Sequence, residues 1–128
     1  MKIEHIALWV KDLEAMKEFY CTYFKAISND KYVNERTGFS SYFLSFGDGK
    51  TRIELMNRAD ISQTAEKNRT FGFAHFAFSV GSKEAVDTLT ERLRTAGYVI
   101  AGEPRTTGDG CYESVVLDPE GNLVEITV

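Results

Sequence analysis

The 128-residue sequence contains few of the residues that mark specialised proteins: two cysteines, two prolines, two histidines and one tryptophan. Two cysteines do not make a disulfide framework, which favours a reduced, cytoplasmic setting. No run approaches the roughly 20 apolar residues of a membrane-spanning helix, so we expect no membrane partner. Acidic residues outnumber basic ones by 19 to 15, which argues against a nucleic-acid partner. With 43% hydrophobic residues, the chain is typical of one folded domain or two small modules.

The chain repeats itself, and the two histidines mark the repeat. The segment I-E-H-I-A-L-W-V-K-D from Ile3 resembles F-A-H-F-A-F-S-V-G-S from Phe73, so His5 and His75 occupy equivalent positions. A second pair of segments also aligns: S-Y-F-L-S-F-G-D-G-K-T-R-I-E-L from Ser41 and Y-E-S-V-V-L-D-P-E-G-N-L-V-E-I from Tyr112. In this alignment Glu54 and Glu125 occupy equivalent positions. Each half therefore contributes one histidine and one glutamate, and an internal duplication explains this better than chance.

Hydrophobic periodicity and capping signals predict the same order of elements in both halves. In the first half we expect a helix capped by Asp12 and strands over Lys2–Val10, Ala26–Val33, Ser40–Phe46 and Thr51–Met56. In the second half we expect a helix capped by Ser82 and ended by Gly97, and strands over Gly72–Val80, Tyr98–Gly102, Tyr112–Leu117 and Asn122–Val128. The predicted fold is α+β, a single domain over 1–128 built from two tandem β-α-β-β-β modules at about 1–57 and 71–128, with a polar linker at about 58–70.

The equivalent histidines and glutamates are candidate metal ligands. Because side chains alternate across a strand, Glu54 faces away from Ile53 and Leu55, which are expected to pack under a helix. A glutamate within an apolar strand is costly to bury unless it is paired or bound to a metal. Two imidazoles and two carboxylates suit divalent Zn, Ni, Co, Mn or Fe. The alternative is that each histidine is a hydrogen-bonded structural residue and each glutamate a solvated one.

The motifs that carry these residues resemble the vicinal oxygen chelate superfamily, and within it glyoxalase I (lactoylglutathione lyase). They are H-I-A-L-W-V-K-D-L at His5, R-I-E-L at Arg52–Leu55, F-A-H-F-A-F-S-V at Phe73–Val80 and L-D-P-E-G-N-L-V-E-I at Leu117–Ile126. The resemblance implies curled mixed sheets that enclose a metal, with His5, Glu54, His75 and Glu125 at the four ligand positions. It also implies a homodimer, in which the site is completed either within one chain or between two.

The activity implied by the resemblance is that of a metal-dependent, lactoylglutathione lyase-like enzyme of methylglyoxal detoxification. It would convert the hemithioacetal of methylglyoxal and a thiol to the 2-hydroxyacyl thioester, with one divalent Ni, Zn, Co or Mn ion per site. The catalytic residues would be Glu125 as the base and Glu54 as a ligand and second base. The alternative is that both glutamates are permanent ligands and a metal-bound hydroxide is the base.

Other activities within the superfamily stay open. Epimerases typically have glutamine at the position of Glu54, while dioxygenases and fosfomycin-type thiol transferases use three protein ligands. Small-molecule-binding members without catalysis generally lack the ligands. Glu54 therefore favours the glyoxalase type, and the full ligand set disfavours a binding protein.

The substrate-binding candidates are Trp9, Arg58 and Arg105, and the partner is a small-molecule substrate such as a thiol conjugate. Trp9 stands where glutathione-using relatives often carry arginine, and Arg58 where they carry asparagine. Arg105, expected in a loop over Gly102–Gly110, would bind the carboxylate of the thiol or be an ordinary solvated charge. For Trp9, packing in the core or in a dimer interface is the favoured alternative to lining a substrate pocket.

Overall fold

In each half of the chain, the first element that the structure describes is a strand, which is followed by a helix and further strands. The computed structural model describes residues 4–47, 49–61, 75–108 and 110–128. The chain divides into two compact units, Met1–Thr64 and Ala65–Val128. The elements of the first unit are β1 His5–Trp9, α1 Leu13–Phe24, β2 Ile27–Ser28, β3 Tyr32–Asn34, β4 Phe39–Ser45 and β5 Arg52–Asn57. Those of the second are β6 His75–Ser79, α2 Lys83–Thr95, β7 Ile100–Thr106, β8 Tyr112–Leu117 and β9 Leu123–Thr127.

Both units form a mixed sheet with the same plan. In the first unit the strand order is β1-β5-β4-β2, and β3 also pairs with β4. In the second unit the order is β6-β9-β8-β7. The first strand of each unit runs parallel to the last, and the remaining pairs are antiparallel. The predicted α+β fold of repeated β-α-β-β-β modules is therefore confirmed.

Both helices begin, and the second one ends, where the sequence predicts. The Asp12 side chain accepts the backbone N–H of Ala15 at 2.9 Å, and the Ser82 side chain accepts that of Ala85 at 3.2 Å. Both are N-caps, which satisfy backbone donors that the first helical turn leaves free. The second helix stops before Gly97, whose φ of +89° is the left-handed conformation that glycine adopts most easily.

The predicted strand Ala26–Val33 is wrong as a single strand, because the chain breaks it into β2 and β3 around Asn29. The backbone N–H of Asn29 donates to the carbonyl of Phe43 at 3.1 Å, and its side-chain oxygen accepts the Phe43 N–H at 2.7 Å. An asparagine side chain that bonds to backbone in this way favours a turn over a continuous ladder.

The predicted loop over Gly102–Gly110 is also wrong in its first part, because β7 continues to Thr106. The register between β7 and β8 shifts twice, between Ile100 and Gly102 and between Gly102 and Arg105. Such bulges let a strand at the end of a sheet accommodate glycine and proline and continue past them. Arg105 consequently lies in a strand, opposite Glu113. Other predictions, for residues 2–3, Asp48, the linker after residue 61 and the beginning of the Gly72–Val80 strand, fall outside the described residues.

The helix of each unit packs on one face of its sheet, and the other face carries both charged and apolar side chains. Under α1 lie Leu44, Ile53 and Leu55, and under α2 lie Val116, Val124 and Ile126, all with 6% or less of their surface exposed. The opposite surface, which we call the helix-free face, carries the side chains that alternate with these core residues. They are His5, Trp9, Phe43, Arg52 and Glu54 in the first unit, and His75, Arg105, Glu113, Val115, Leu123 and Glu125 in the second.

Within the described residues, neither helix has the length or the apolar composition that crossing a bilayer requires.

An ion-pair network ties α1 to the sheet of the first unit. The Glu14 carboxylate accepts hydrogen bonds from the hydroxyl of Tyr42 at 3.0 and 3.1 Å and from the ammonium of Lys31 at 2.9 Å. Lys17 lies 3.0 Å away and also covers the Tyr42 ring. Hydrogen bonds from Lys31 and then Lys17 lower the pKa of Glu14 from its usual 4.5 to about 2.

We expect Glu14→Gln to destabilise the protein in a pH-dependent way. A lowered pKa in the folded state stabilises the protein above pH 4.5, and this contribution disappears as the pH falls towards about 2. Because half of the Glu14 side chain is exposed, solvent screening reduces the loss at pH 7 to about 1 kcal/mol. Urea unfolding at pH values from 7 to 3 measures this difference. Glu18→Gln, an exposed position on the same helix, is the control, and an equal loss at every pH would contradict the electrostatic account.

Candidate metal centre

The first unit places His5 and Glu54 side by side. β1 pairs with β5 so that Ala7 lies opposite Glu54, two residues after His5 on the same face. The buried neighbours Ile53 and Leu55 direct the Glu54 carboxylate to the helix-free face, where 15% of the side chain remains exposed. Nε2 of His5 lies 3.9 Å from Oε2 of Glu54.

The second unit repeats this arrangement with His75 and Glu125. β6 pairs with β9 so that Ala77 lies opposite Glu125, again two residues after the histidine. Val124 and Ile126 are fully buried and direct the Glu125 carboxylate to the helix-free face. Nε2 of His75 lies 3.6 Å from Oε2 of Glu125. The duplication seen in the sequence therefore extends to the spacing of the two pairs.

Both pairs fit a divalent metal ion. Two donors that each bind one ion at about 2.1 Å cannot lie more than about 4.2 Å apart, and both His–Glu separations, 3.9 and 3.6 Å, are below that limit. Over residues 4–47, 49–61, 75–108 and 110–128, His, Cys, Asp and Glu side chains form no group of three or more that could hold a metal. Each unit by itself thus brings together two of the four predicted ligands.

The surroundings of His5 include residues to which the sequence analysis assigned no role. Nδ1 of His5 lies 2.5 Å from Oε2 of Glu4, whose other oxygen pairs with the Arg52 guanidinium. Hydrogen bonds from His5 and then Arg52 lower the pKa of Glu4 below its usual value. Phe43 packs against both His5 and Arg52. The one sequence feature that pointed to Glu4 is its position directly before His5 in the I-E-H-I segment.

The surroundings of Glu125 are more acidic. Burial raises the pKa of Glu125, and the neighbouring Glu113 carboxylate raises it further, while His75 and Arg105 act in the opposite direction. Glu113 is another residue that the sequence analysis missed, and only 12% of its side chain is exposed. The available signal was the alternation of Glu113 and Val115 with Ser114 and Val116 along the predicted strand. A half-buried carboxylate next to a second one therefore faces His75.

Arg105 lies beside this acidic group, in a strand and not in the predicted loop. One guanidinium nitrogen, Nη2, is 3.4 Å from Oε1 of Glu113, and half of the side chain is exposed. Arg105 lines a recess of about 440 Å³ together with Ala101, Gly102, Glu103, Val115 and Leu123. A Cβ on Gly102 would approach Nη1 of Arg105 to 3.0 Å, so the glycine leaves room for the guanidinium. The carboxylate of Glu103, which also borders the recess, accepts two hydrogen bonds from Arg94.

Trp9 and Arg58 are neighbours in the first unit. The Arg58 guanidinium lies 5.6 Å from the centre of the Trp9 ring, a cation–π distance, and pairs with Asp60 at 2.5 Å. Trp9 also meets Phe39 edge to face at 6.1 Å. With 42% of its surface exposed, Trp9 is not a core residue of its unit, which excludes one of the two packing alternatives.

The sequence of the chain is similar to those of known proteins. The sequence profile of the Glyoxalase/Bleomycin resistance protein/Dioxygenase superfamily matches residues 2–126. The chain is 29% identical over 128 residues to the uncharacterized protein YqjT of Bacillus subtilis (strain 168), covering 97% of this chain and 96% of that protein.

Solved structures share the fold at low sequence identity. A glyoxylase/bleomycin resistance protein/dioxygenase domain from Frankia sp. EAN1pec has a TM-score of 0.83 and 20% identity, covering 100% of this chain and 97% of that one. The trypanothione-dependent glyoxalase I of Leishmania major has a TM-score of 0.78 and 20% identity, covering 99% and 86%.

Proposed function

Since the chain belongs to the Glyoxalase/Bleomycin resistance protein/Dioxygenase superfamily, we propose that it is a metal-dependent, glyoxalase-I-like lyase. Its reaction is the isomerisation of a hemithioacetal, formed from methylglyoxal and a thiol, to the 2-hydroxyacyl thioester. The observation that carries the proposal is the presence of one His–Glu pair in each unit, at equivalent positions and with similar spacing. The fold shared with glyoxalase I of Leishmania major adds support.

The proposed ligands are His5, Glu54, His75 and Glu125. A single His–Glu pair supplies two ligands, whereas zinc-type sites in proteins use three or four. The second pair brings the number of ligands to four, and the internal duplication explains why the chain has two His–Glu pairs. We propose a homodimer with one divalent Ni, Zn, Co or Mn ion per site, and with the two pairs contributed by one chain or by two.

Proton transfer is assigned to Glu125. When bound, the metal ion supplies a Lewis acid that stabilises negative charge developing on the substrate oxygens. Glu125 takes the proton from the carbon that carries the sulfur and returns it to the adjacent carbon, so that no oxidant or reductant is consumed. In the metal-free protein, burial and Glu113 raise the pKa of Glu125. Glu54 is a ligand and the alternative base.

The test is reconstitution of the purified protein with each of the four metals, followed by metal analysis and an isomerisation assay with a panel of thiols. We expect His5→Gln and His75→Gln to lose metal. We expect Glu125→Gln to lower the turnover per bound ion by about 10²–10⁴-fold, the usual contribution of a general base. Glu91→Gln, an exposed change on α2, serves as the control and should alter neither quantity.

Two results would contradict this account in different ways. A protein that takes up no metal, with Glu54→Gln and Glu125→Gln indistinguishable from wild type, would refute the metal centre. Stoichiometric metal without isomerisation of any hemithioacetal would instead favour an epimerase, a dioxygenase or a fosfomycin-type thiol transferase. Ligand binding without metal or turnover would favour a small-molecule-binding protein.

We further assign Arg105, Trp9 and Arg58 to substrate binding, with Arg105 as the partner of a carboxylate on the thiol. The 3.4 Å contact with Glu113 is long for an ion pair, and the guanidinium borders the recess next to Val115 and Leu123. A carboxylate of the substrate can therefore accept two parallel hydrogen bonds from Arg105, either in place of Glu113 or together with it. The position of Arg105 on the face that carries His75 and Glu125 supports this role.

N-acetylcysteine and its methyl ester, which differ only in the free carboxylate, test this assignment. We expect Arg105→Gln to raise KM about tenfold for the hemithioacetal of the acid, the effect of one charged hydrogen bond in a half-exposed site. KM for the ester should not change. Arg36→Gln, an exposed turn position, is the control. Equal losses with both thiols would show that Arg105 does not contact the carboxylate.

A further inference from the structure

The second ring nitrogen of His5 has a carboxylate partner. Oε2 of Glu4 lies 2.5 Å from Nδ1, while Nε2 on the other side of the ring faces Glu54. A carboxylate has only acceptors, so the hydrogen of this short contact belongs to Nδ1. In the Nδ1–H tautomer the lone pair lies on Nε2, where it can bind an ion.

Three further contacts hold Glu4 in place. The backbone N–H of Arg52 donates to the Glu4 carbonyl at 3.0 Å, which fixes the main chain just before β1. The Arg52 guanidinium pairs with Oε1 of Glu4 and stacks on Phe43, with 4.2 Å between the guanidinium carbon and the ring centre. Phe43 also meets the His5 ring edge to face at 5.4 Å. The imidazole, the carboxylate and the guanidinium therefore form one packed group.

The positions equivalent to Glu4 and Arg52 carry different residues in the second half of the chain. The residue before His75 is Ala74, which has no carboxylate. Arg52 lies opposite His5 in the β1–β5 ladder, and the residue opposite His75 in the β6–β9 ladder is Leu123. The two halves thus share the His–Glu pair but differ at these two positions, which carry a carboxylate and an arginine beside His5 and an alanine and a leucine beside His75.

We propose that Glu4 is a positioning residue that holds His5 in the Nδ1–H tautomer and thereby strengthens Nε2 as a metal ligand. This rests on the proposed function, because it concerns a ligand of the proposed centre. Histidines that bind metals commonly donate their other N–H to a carboxylate, which fixes the ring orientation and raises the basicity of the binding nitrogen. Arg52 and Phe43 act on the metal only through Glu4 and His5.

The tautomer can be measured without any metal, by long-range ¹H–¹⁵N NMR of the apoprotein at a pH well above 6.5, the usual pKa of histidine. With only two histidines in the chain, His75→Gln assigns the spectrum. We expect wild-type His5 to show the Nδ1–H pattern. The variant Glu4→Ala, which carries the residue found before His75, should lose this pattern. The His75 signals should stay unchanged and report that the variant is folded. A wild-type His5 protonated on Nε2 would overturn the proposal.

Metal affinity gives the second readout, through competition with a chelator. We expect Glu4→Ala to weaken binding about 10–100-fold, as loss of such a partner typically does. Glu4→Gln, which keeps an acceptor oxygen, should lose less, and Glu18→Ala should match wild type. Wild-type affinity in Glu4→Ala would refute the role of Glu4 while leaving the metal centre intact. A wild-type protein that binds no metal would instead refute the proposed function, and the NMR result would still decide whether Glu4 sets the tautomer.

Discussion

The parallel ladder between the first and last strands of each unit is the constraint on which the candidate site depends. It sets Ala7 opposite Glu54 and Ala77 opposite Glu125, which leaves each histidine next to a glutamate. A slip of one residue would turn the glutamate under the helix, where an unpaired carboxylate is costly. The apolar residues on either side of each glutamate prevent that slip, since they would lose their place in the core. Packing and site geometry are therefore fixed by the same alternation.

The two units differ in what surrounds these pairs. In the first, Glu4, Arg52 and Phe43 surround the histidine. In the second, Glu113 and Arg105 lie next to the glutamate, whose pKa is raised by burial and by Glu113. Duplication thus accounts for the pairs, and later divergence accounts for their surroundings. This difference agrees with the proposed roles of His5 as a firmly held ligand and Glu125 as the base.

Much of this arrangement was predictable from local patterns, and the rest depends on contacts between distant residues. Asp12, Ser82 and Gly97 act within a few residues of their own positions, and the structure bears out the helix boundaries they predicted. The break at Asn29 and the extension of β7 to Thr106 were not predictable, because they follow from pairing with β4 and β8. Arg52 reaches Glu4 across 48 positions of the chain, a contact that no local pattern reports.

We propose that the two pairs serve one metal ion, and diffraction from zinc-loaded crystals tests this claim. We expect one anomalous peak within about 2.0–2.2 Å of Nε2 of His5, Nε2 of His75 and a carboxylate oxygen from each of Glu54 and Glu125. The ligands of that peak belong either to one chain or to two chains of a dimer. A peak bound by one pair alone, or by residues outside both pairs, would contradict the claim.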